Sequence, residues 1–247
     1  MTNQVLVLRD QPLSDASVTR IEALLAWQVN QLSCIDIVAT PTQIPALPFD
    51  GAIVISRNAV KFATEALQQS QREWPQTRWF AVGPSTARAL ANATRQPVTA
   101  PFAQFNSETL LRLPELQRLQ GQRWLLLRGE GGRELLSHTL QARGAEVAHW
   151  ATYRRQPRQQ QLSETELAAV KIIVVTSAEQ LGNFLASLPA QALLWLSSRV
   201  WVVPSERVLA LLPGQLQQRA VLARSALDSD LAQAVIEQAQ PMLETTS

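Results

Sequence analysis

What this sequence has little of narrows the reading first. Cys34 is the single cysteine, so no intrachain disulfide can form and a reducing cytoplasm is the default compartment. The two histidines, His138 and His149, cannot build a zinc site with that one thiol at this spacing. No acidic cluster suggests magnesium. No apolar run is long enough to span a membrane, and Met1-Thr2-Asn3-Gln4 leads into the apolar Val5–Leu8 without a basic leader. Lysine occurs only at Lys61 and Lys171 among 22 basic residues. The cations are therefore almost all arginine, whose planar fork suits carboxylates and phosphates. A net charge of +2 with no basic run or aromatic-spaced basic stripe speaks against nucleic acid. Tyr153 is the only tyrosine. The remainder, 46% hydrophobic and 17% charged, is the composition of an ordinary globular protein.

What is present is an internal echo. Arg78-Trp79-Phe80-Ala81-Val82-Gly83 recurs as Arg199-Val200-Trp201-Val202-Val203-Pro204, and the same shift of 121 residues places Ile53–Ser56 on Val174–Ser177 and Leu110 on Leu231. A shift of 119 pairs Leu6–Arg9 with Leu125–Arg128. Units of that length are too long for a solenoid and read as a duplicated α/β unit. In a chain of 247 residues this favours two domains, with a ligand site in a cleft between similar lobes.

Short β-rich runs alternate with helical patterns. Strands are expected at 5–8, 35–38, 52–55, 79–82, 98–99, 124–127, 147–151, 172–175, 200–203 and 220–223. Apolar stripes at Val18, Ile21, Leu24 and Leu25, and at Leu135, Leu136, Thr139 and Leu140, predict amphipathic helices. Ser163–Glu166 and Ser225–Asp228 fit the capping-box pattern. Such alternation implies parallel sheets with helices on both faces.

Three strand-to-helix turns carry small or hydroxylic residues: Ser56-Arg57-Asn58, Gly83-Pro84-Ser85-Thr86, and Arg128-Gly129-Glu130-Gly131-Gly132-Arg133. Thr176-Ser177 and Ser205 are the counterparts in the second repeat. Free N–H groups and the dipole at a helix start attract anions. Singly each turn reads as an N-cap or a tight turn. Several at the carboxyl ends of parallel strands point to a polyanion site. The glycine loop matches neither the dinucleotide fingerprint nor the Walker pattern.

In series these motifs resemble the uroporphyrinogen-III synthase family. The strongest block is Arg128–Arg133, then Leu136, Leu140, Gly144, Ala145 and Val147, ending in Tyr153-Arg154-Arg155. Leu6–Arg9, Ile55–Val60, Val82–Ala87, Ser107–Leu110 and Val175–Ser177 support it, in order over nearly the whole chain. Two departures stand out: Leu8-Arg9-Asp10 where the family has Thr-Arg-Pro, and Pro204-Ser205-Glu206-Arg207 in place of a glycine-threonine turn. The resemblance implies two flavodoxin-like lobes around a central cleft, each a parallel sheet flanked by helices. It places 1–38 with 163–247 in one lobe and 49–153 in the other, joined by connectors at 39–48 and 154–162, about which the lobes hinge.

The family's reaction closes the linear tetrapyrrole hydroxymethylbilane, with loss of water and inversion of the last pyrrole ring, and implies no cofactor or metal. The resemblance implies a substrate with eight carboxylates, a transient handover from hydroxymethylbilane synthase, and no nucleic-acid or membrane partner; a monomer is expected because no heptad or apolar edge is evident. Tyr153 is the candidate acid for the departing hydroxyl. Arg9, Ser56, Asn58, Gly83, Ser85, Thr86, Arg128, Gly129, Gly131, Arg133, Thr176, Ser177 and Ser205 are the candidate substrate-binding residues. Two alternatives stay open: a non-catalytic two-lobe module for a polycarboxylate, and a nucleotide or sugar-phosphate enzyme using the glycine loop.

Overall fold

Val5–Leu8, Ile172–Val175 and Val200–Val203 carry apolar side chains at every consecutive position. Successive strand residues point to opposite faces, so such strands need cover on both sides. The computed structural model describes the chain except residues 1, 11, 12, 47, 103, 133, 159–166, 190, 191 and 245–247. In chain order its elements are β1 (Gln4–Leu8), α1 (Asp15–Leu25), β2 (Gln28–Leu32), β3 (Ile35–Ala39), β4 (Gly51–Val54), α2 (Arg57–Gln69), β5 (Arg78–Ala81), α3 (Pro84–Thr94), β6 (Val98–Thr99), α4 (Ser107–Leu110) and β7 (Arg123–Gly129). They continue with α5 (Leu135–Ala142), β8 (Glu146–Pro157), β9 (Val170–Val175), α6 (Ala178–Ser187), α7 (Ala192–Leu196), β10 (Val200–Val203), α8 (Glu206–Leu209), α9 (Gly214–Gln217), β11 (Ala220–Leu222) and α10 (Asp228–Glu244). They form two compact units, Met1–Asp36 with Gln156–Ser247, and Ile37–Arg155.

The first unit holds a parallel sheet in the order β11-β10-β9-β1-β2. Val5, Val7, Ile172, Val174, Val200 and Val202 face α1 and α10 through Ile21, Leu25, Leu231 and Val235. Leu6, Leu8, Ile173, Val175, Trp201 and Val203 face the other way, against Leu181 and Phe184 of α6 and Leu196 of α7. The alternation that makes these runs look uniformly apolar is thus resolved into two cores.

The second unit repeats the pattern in the order β3-β8-β7-β4-β5-β6. Ala52, Val54, Trp79, Leu125 and Leu127 pack on α2 and α3, while Ile53, Phe80, Trp124 and Leu126 pack on Leu110, Leu136 and Leu140. In each sheet two strands that open one repeat lie beside three that close the other: β2-β1 with β9-β10-β11, and β8-β7 with β4-β5-β6. With the opening pair of a repeat numbered 1 and 2 and the closing three numbered 3 to 5, the five parallel strands of each sheet read 2-1-3-4-5, the flavodoxin-like order. The echo survives in detail, since Leu110 and Leu231 are both fully buried.

The expected strands are all present, with ends within two residues except for β8, which runs on to Pro157. Thr40 N donates to Thr152 O and Arg158 N to Cys34 O, so β3 and β8, which carry the chain between the units, run antiparallel. That departs from the all-parallel expectation, and it gives β8 a hydrogen-bonded neighbour beyond the end of β7. The strand β2 was not expected. Its sequence Gln-Val-Asn-Gln-Leu is polar because it is an edge strand with exposed side chains. Leu24, read as part of the α1 stripe, points outward, leaving Ile21 and Leu25 as the buried contacts. The Ser163–Glu166 capping box lies outside the described residues.

Gly51 opposes Trp124 across β4 and β7, and a Cβ on Gly51 would stand 2.5 Å from Cη2 of the fully buried indole. Arg78 packs over the same ring, limiting its escape. Gly51→Ala is expected to lower stability by roughly 1–3 kcal/mol, the range for overpacking a filled core. Denaturant unfolding checks this, and an unchanged midpoint would contradict it.

Candidate active site

Parallel pairing brings the carboxyl end of every strand in a sheet to one edge, where the chain turns into the following helix. In the second unit β4 leads through Ile55 into Ser56, whose backbone is extended (φ −150°, ψ 160°) and whose Oγ accepts from Ala59 N at 3.1 Å, capping α2. Asn58 lies in the first turn of α2. After β5, Gly83 is extended and Pro84 opens α3 without a side-chain cap. Ser85 is exposed and Thr86 buried.

Arg128, near the end of β7, is almost wholly buried. Its guanidinium pairs with Glu134 at 2.9 Å and donates to Gly131 O. Gly131 and Gly132 adopt positive φ (69° and 95°), and a Cβ on Gly132 would come within 3.3 Å of Arg128 Nη2. The glycine loop therefore folds around an internal guanidinium. Arg133, a candidate substrate ligand, lies outside the described residues.

Tyr153 sits on β8 level with Gly129, the last residue of β7, and its carbonyl accepts from Glu130 N at 2.7 Å. Its ring lies so close to Gly129 that a Cβ there would stand 2.7 Å from Cε2 and Cζ. The ring stacks on Phe62 of α2 with centroids 6.0 Å apart and planes at 27°. Its hydroxyl is 3.0 Å from Ser56 Oγ. Three candidates from different parts of the sequence, Ser56, Gly129 and Tyr153, thus meet at the carboxyl edge beside β4 and β7. That edge is the topological switch point of the sheet, where ligands of open α/β sheets bind.

The first unit has its own edge beside β1 and β9. Thr176 Oγ1 donates to Leu8 O at 2.9 Å, so this hydroxyl ties two strands together. Ser177 caps α6 with nearly the backbone of Ser56 (φ −154°, ψ 157°) and accepts from Gln180 N at 3.3 Å. Gln180 N–H meets Ser177 while its side chain receives Cys34 N at 2.8 Å and donates to Asp10 at 2.5 Å. Ser205 is extended before the short α8 but makes no side-chain cap. Arg9 pairs with Asp228 at 2.6 Å, and the second oxygen of Asp228 accepts from Ser14 N at 2.8 Å.

Sequence reading missed Phe62, Glu134, Gln180 and Asp228. Gln180 was legible as the fourth residue of Ser177-Ala178-Glu179-Gln180, a capping-box pattern. Asp228 was read as the acid of the Ser225 capping box, but the helix begins at Asp228 and Ser225 Oγ bonds Asp230 instead. Phe62 gave no local signal. Cys34 is fully buried and its thiol is pushed up to about 12, by burial first and then by Asp10, so it stays protonated. His149 is exposed, with Nε2 3.0 Å from Ser137 Oγ. Among the described residues no group of His, Cys, Asp and Glu is placed to share a metal ion, and no helix is long and apolar enough to cross a membrane.

Taken together this is a duplicated flavodoxin-like α/β protein with helix-opening turns at two sheet edges and one phenol held at the second. The uroporphyrinogen-III synthase HemD family model matches residues 16–232, and the chain belongs to that family. It is 35% identical over 242 residues to uroporphyrinogen-III synthase of Escherichia coli K12, covering 92% of this chain and 96% of the relative. It is 37% identical over 196 residues to that of Salmonella typhimurium LT2, covering 75% and 80%. The solved uroporphyrinogen-III synthetase of Helicobacter pylori shares the fold at a TM-score of 0.58 and 17% identity, over 98% of this chain and all of that one.

Two outcomes follow from this geometry. Gly129→Ala is expected to push the Tyr153 ring off Ser56 and to lower turnover at least tenfold with little loss of folded protein, measured by steady-state kinetics alongside circular dichroism. Unchanged turnover would mean that the ring position does not matter. For Asp228, burial pushes the carboxyl up, but the Arg9 hydrogen bond, the Ser14 N–H and the Arg9 charge outweigh it and hold it below its ordinary 3.8. A depressed carboxyl stabilises the fold fully above 3.8 and loses that contribution as pH falls through the lower folded value. The stability advantage of the native chain over Asp228→Asn is therefore expected at pH 7 and should shrink below about pH 4 in denaturant titrations. An advantage independent of pH would contradict it.

Proposed function

We propose that this chain cyclises hydroxymethylbilane to uroporphyrinogen III, a cofactor-independent lyase reaction. The observation that carries the reading is the convergence of Ser56, Gly129 and Tyr153 on one sheet edge, in a chain of which 92% matches the uroporphyrinogen-III synthase of Escherichia coli K12. In this reading the Tyr153 phenol gives its proton to the departing hydroxyl, which leaves as water and generates the azafulvene. The substituted carbon of the terminal ring attacks to give a spiro intermediate. Fragmentation and reclosure at the free position form the type III macrocycle, and the proton released on rearomatisation restores the phenol. Without a protein the chain closes directly to the type I isomer, so the enzyme acts by folding the substrate and by timing one proton transfer.

The carboxylates are bound, in the same reading, by N–H groups and hydroxyls at the helix-opening turns: those of Asn58, Gly83, Ser85 and Thr86, and of Thr176 and Ser177, with Ser205, the glycine loop at Gly129 and Gly131, and Arg133 contributing. Arg9 and Arg128 already hold carboxylates of their own unit, so they serve substrate by shaping these turns or by exchanging partners. The two lobes are 1–38 with 163–247 and 49–153, with 39–48 and 154–162 as connectors. The protein works as a cytoplasmic monomer and takes its labile substrate by transient handover from hydroxymethylbilane synthase.

The test is a coupled assay with hydroxymethylbilane made in place, followed by oxidation and separation of the isomers. Type III should predominate, and Tyr153→Phe should cut kcat by about 10²–10⁴ with KM little changed. Type I alone, from folded protein with substrate present, would replace the enzyme reading with that of a polycarboxylate-binding module.

A further inference from the structure

The Ser56 hydroxyl stands between two groups. It accepts from Ala59 N at 3.1 Å and lies 3.0 Å from the Tyr153 oxygen. We propose that Ser56 is a positioning residue that donates its single proton to the Tyr153 oxygen, so that the phenol's own proton points away from α2 and toward substrate. The inference rests on the reading of Tyr153 as the acid and assigns Ser56 a role other than carboxylate ligand.

Polarity sets the direction of the bond. With Ala59 N–H donating to Ser56 and Ser56 donating to Tyr153, both bonds run one way, outward from the positive end of α2, and each polarises the next. The reverse arrangement would aim the phenolic proton back at that positive end and withdraw it from chemistry. Once the proton has been transferred, the same Ser56 O–H faces a phenolate, and a hydrogen bond to a charged acceptor is roughly twice as strong as a neutral one. The interaction therefore strengthens as the proton leaves, which is how a positioning group assists a transfer.

The ring has little freedom to escape this contact. Gly129 leaves room for one edge and Phe62 of α2 stacks on the face. Lys61 lies over the far ring of that stack, 5.2 Å from the Phe62 centroid. The duplicated scaffold also shows what is particular here. Ser177 caps α6 with the same backbone as Ser56, but the chain's single tyrosine is on β8, so only Ser56 has a phenol to direct.

Ser56→Gly separates this role from capping, because glycine at an N-cap costs only a few tenths of a kcal/mol relative to serine. The expected result is a fall in kcat of tenfold or more with KM within about twofold, near-native thermal unfolding, and recovery of most of the loss in Ser56→Thr. In a Tyr153→Phe background Ser56→Gly should cause no further loss of kcat, since the group it directs is gone. A raised KM with native kcat would make Ser56 a substrate ligand and overturn the inference, as would additive losses in the double variant. If the native chain makes type III isomer and Tyr153→Phe is impaired while Ser56→Gly is not, this inference fails and the functional reading stands. If the native chain makes no type III isomer, the functional reading itself fails.

Discussion

Parallel strand pairing is the constraint on which the rest depends. It puts the carboxyl ends of the parallel strands on one edge of their sheet, and each helix that opens there has first N–H groups with no partner within the helix. The turns at Ser56, Gly83 and Gly129 in one unit, and at Arg9, Ser177 and Ser205 in the other, are consequences of that geometry. A ligand rich in carboxylates fits because the fold already supplies oriented donors. Few lysines are then needed, and of the two present Lys61 packs over the Phe62 ring while Lys171 lies early in β9.

Duplication supplied the scaffold twice and the chemistry once. Ser56 and Ser177, and Leu110 and Leu231, occupy matching places in both repeats. Arg9 and Arg128 match too, and each is held by an acid of its own unit, Asp228 and Glu134. Around Tyr153 the repeats part company. A glycine at position 129 makes space for the ring, where the corresponding strand end in the first unit carries Asp10, bonded to Ser33 and Gln180. The asymmetry places the only phenol beside only one of two equivalent helix caps.

Much of the fold was legible because it is written in short-range patterns. Uniformly apolar runs such as Val200–Val203 announce strands covered on both faces, and the 121-residue echo announces the duplication. The edge strand β2 was not legible, since an exposed edge needs no apolar code. The antiparallel pairing of β3 with β8 was hidden as well, because it joins segments more than a hundred residues apart. At the site, the caps at Ser56 and Ser177 could be read from their spacing to the helices they open. The partners of Arg9, Arg128 and Tyr153 could not, apart from neighbouring Glu134, because contacts such as Arg9 with Asp228 exist only after the sheet has formed.

The most direct test of the central claim is a crystal structure of the protein with uroporphyrinogen III kept reduced during growth. The predicted result has macrocycle carboxylates on the N–H groups of the first turns of α2 and α3, and the Tyr153 oxygen within about 4 Å of a bridging carbon of the ring, close enough for proton transfer directly or through one water. A macrocycle bound away from this sheet edge, with Tyr153 still closed against Ser56 and remote from it, would contradict the assignment of this edge as the active site.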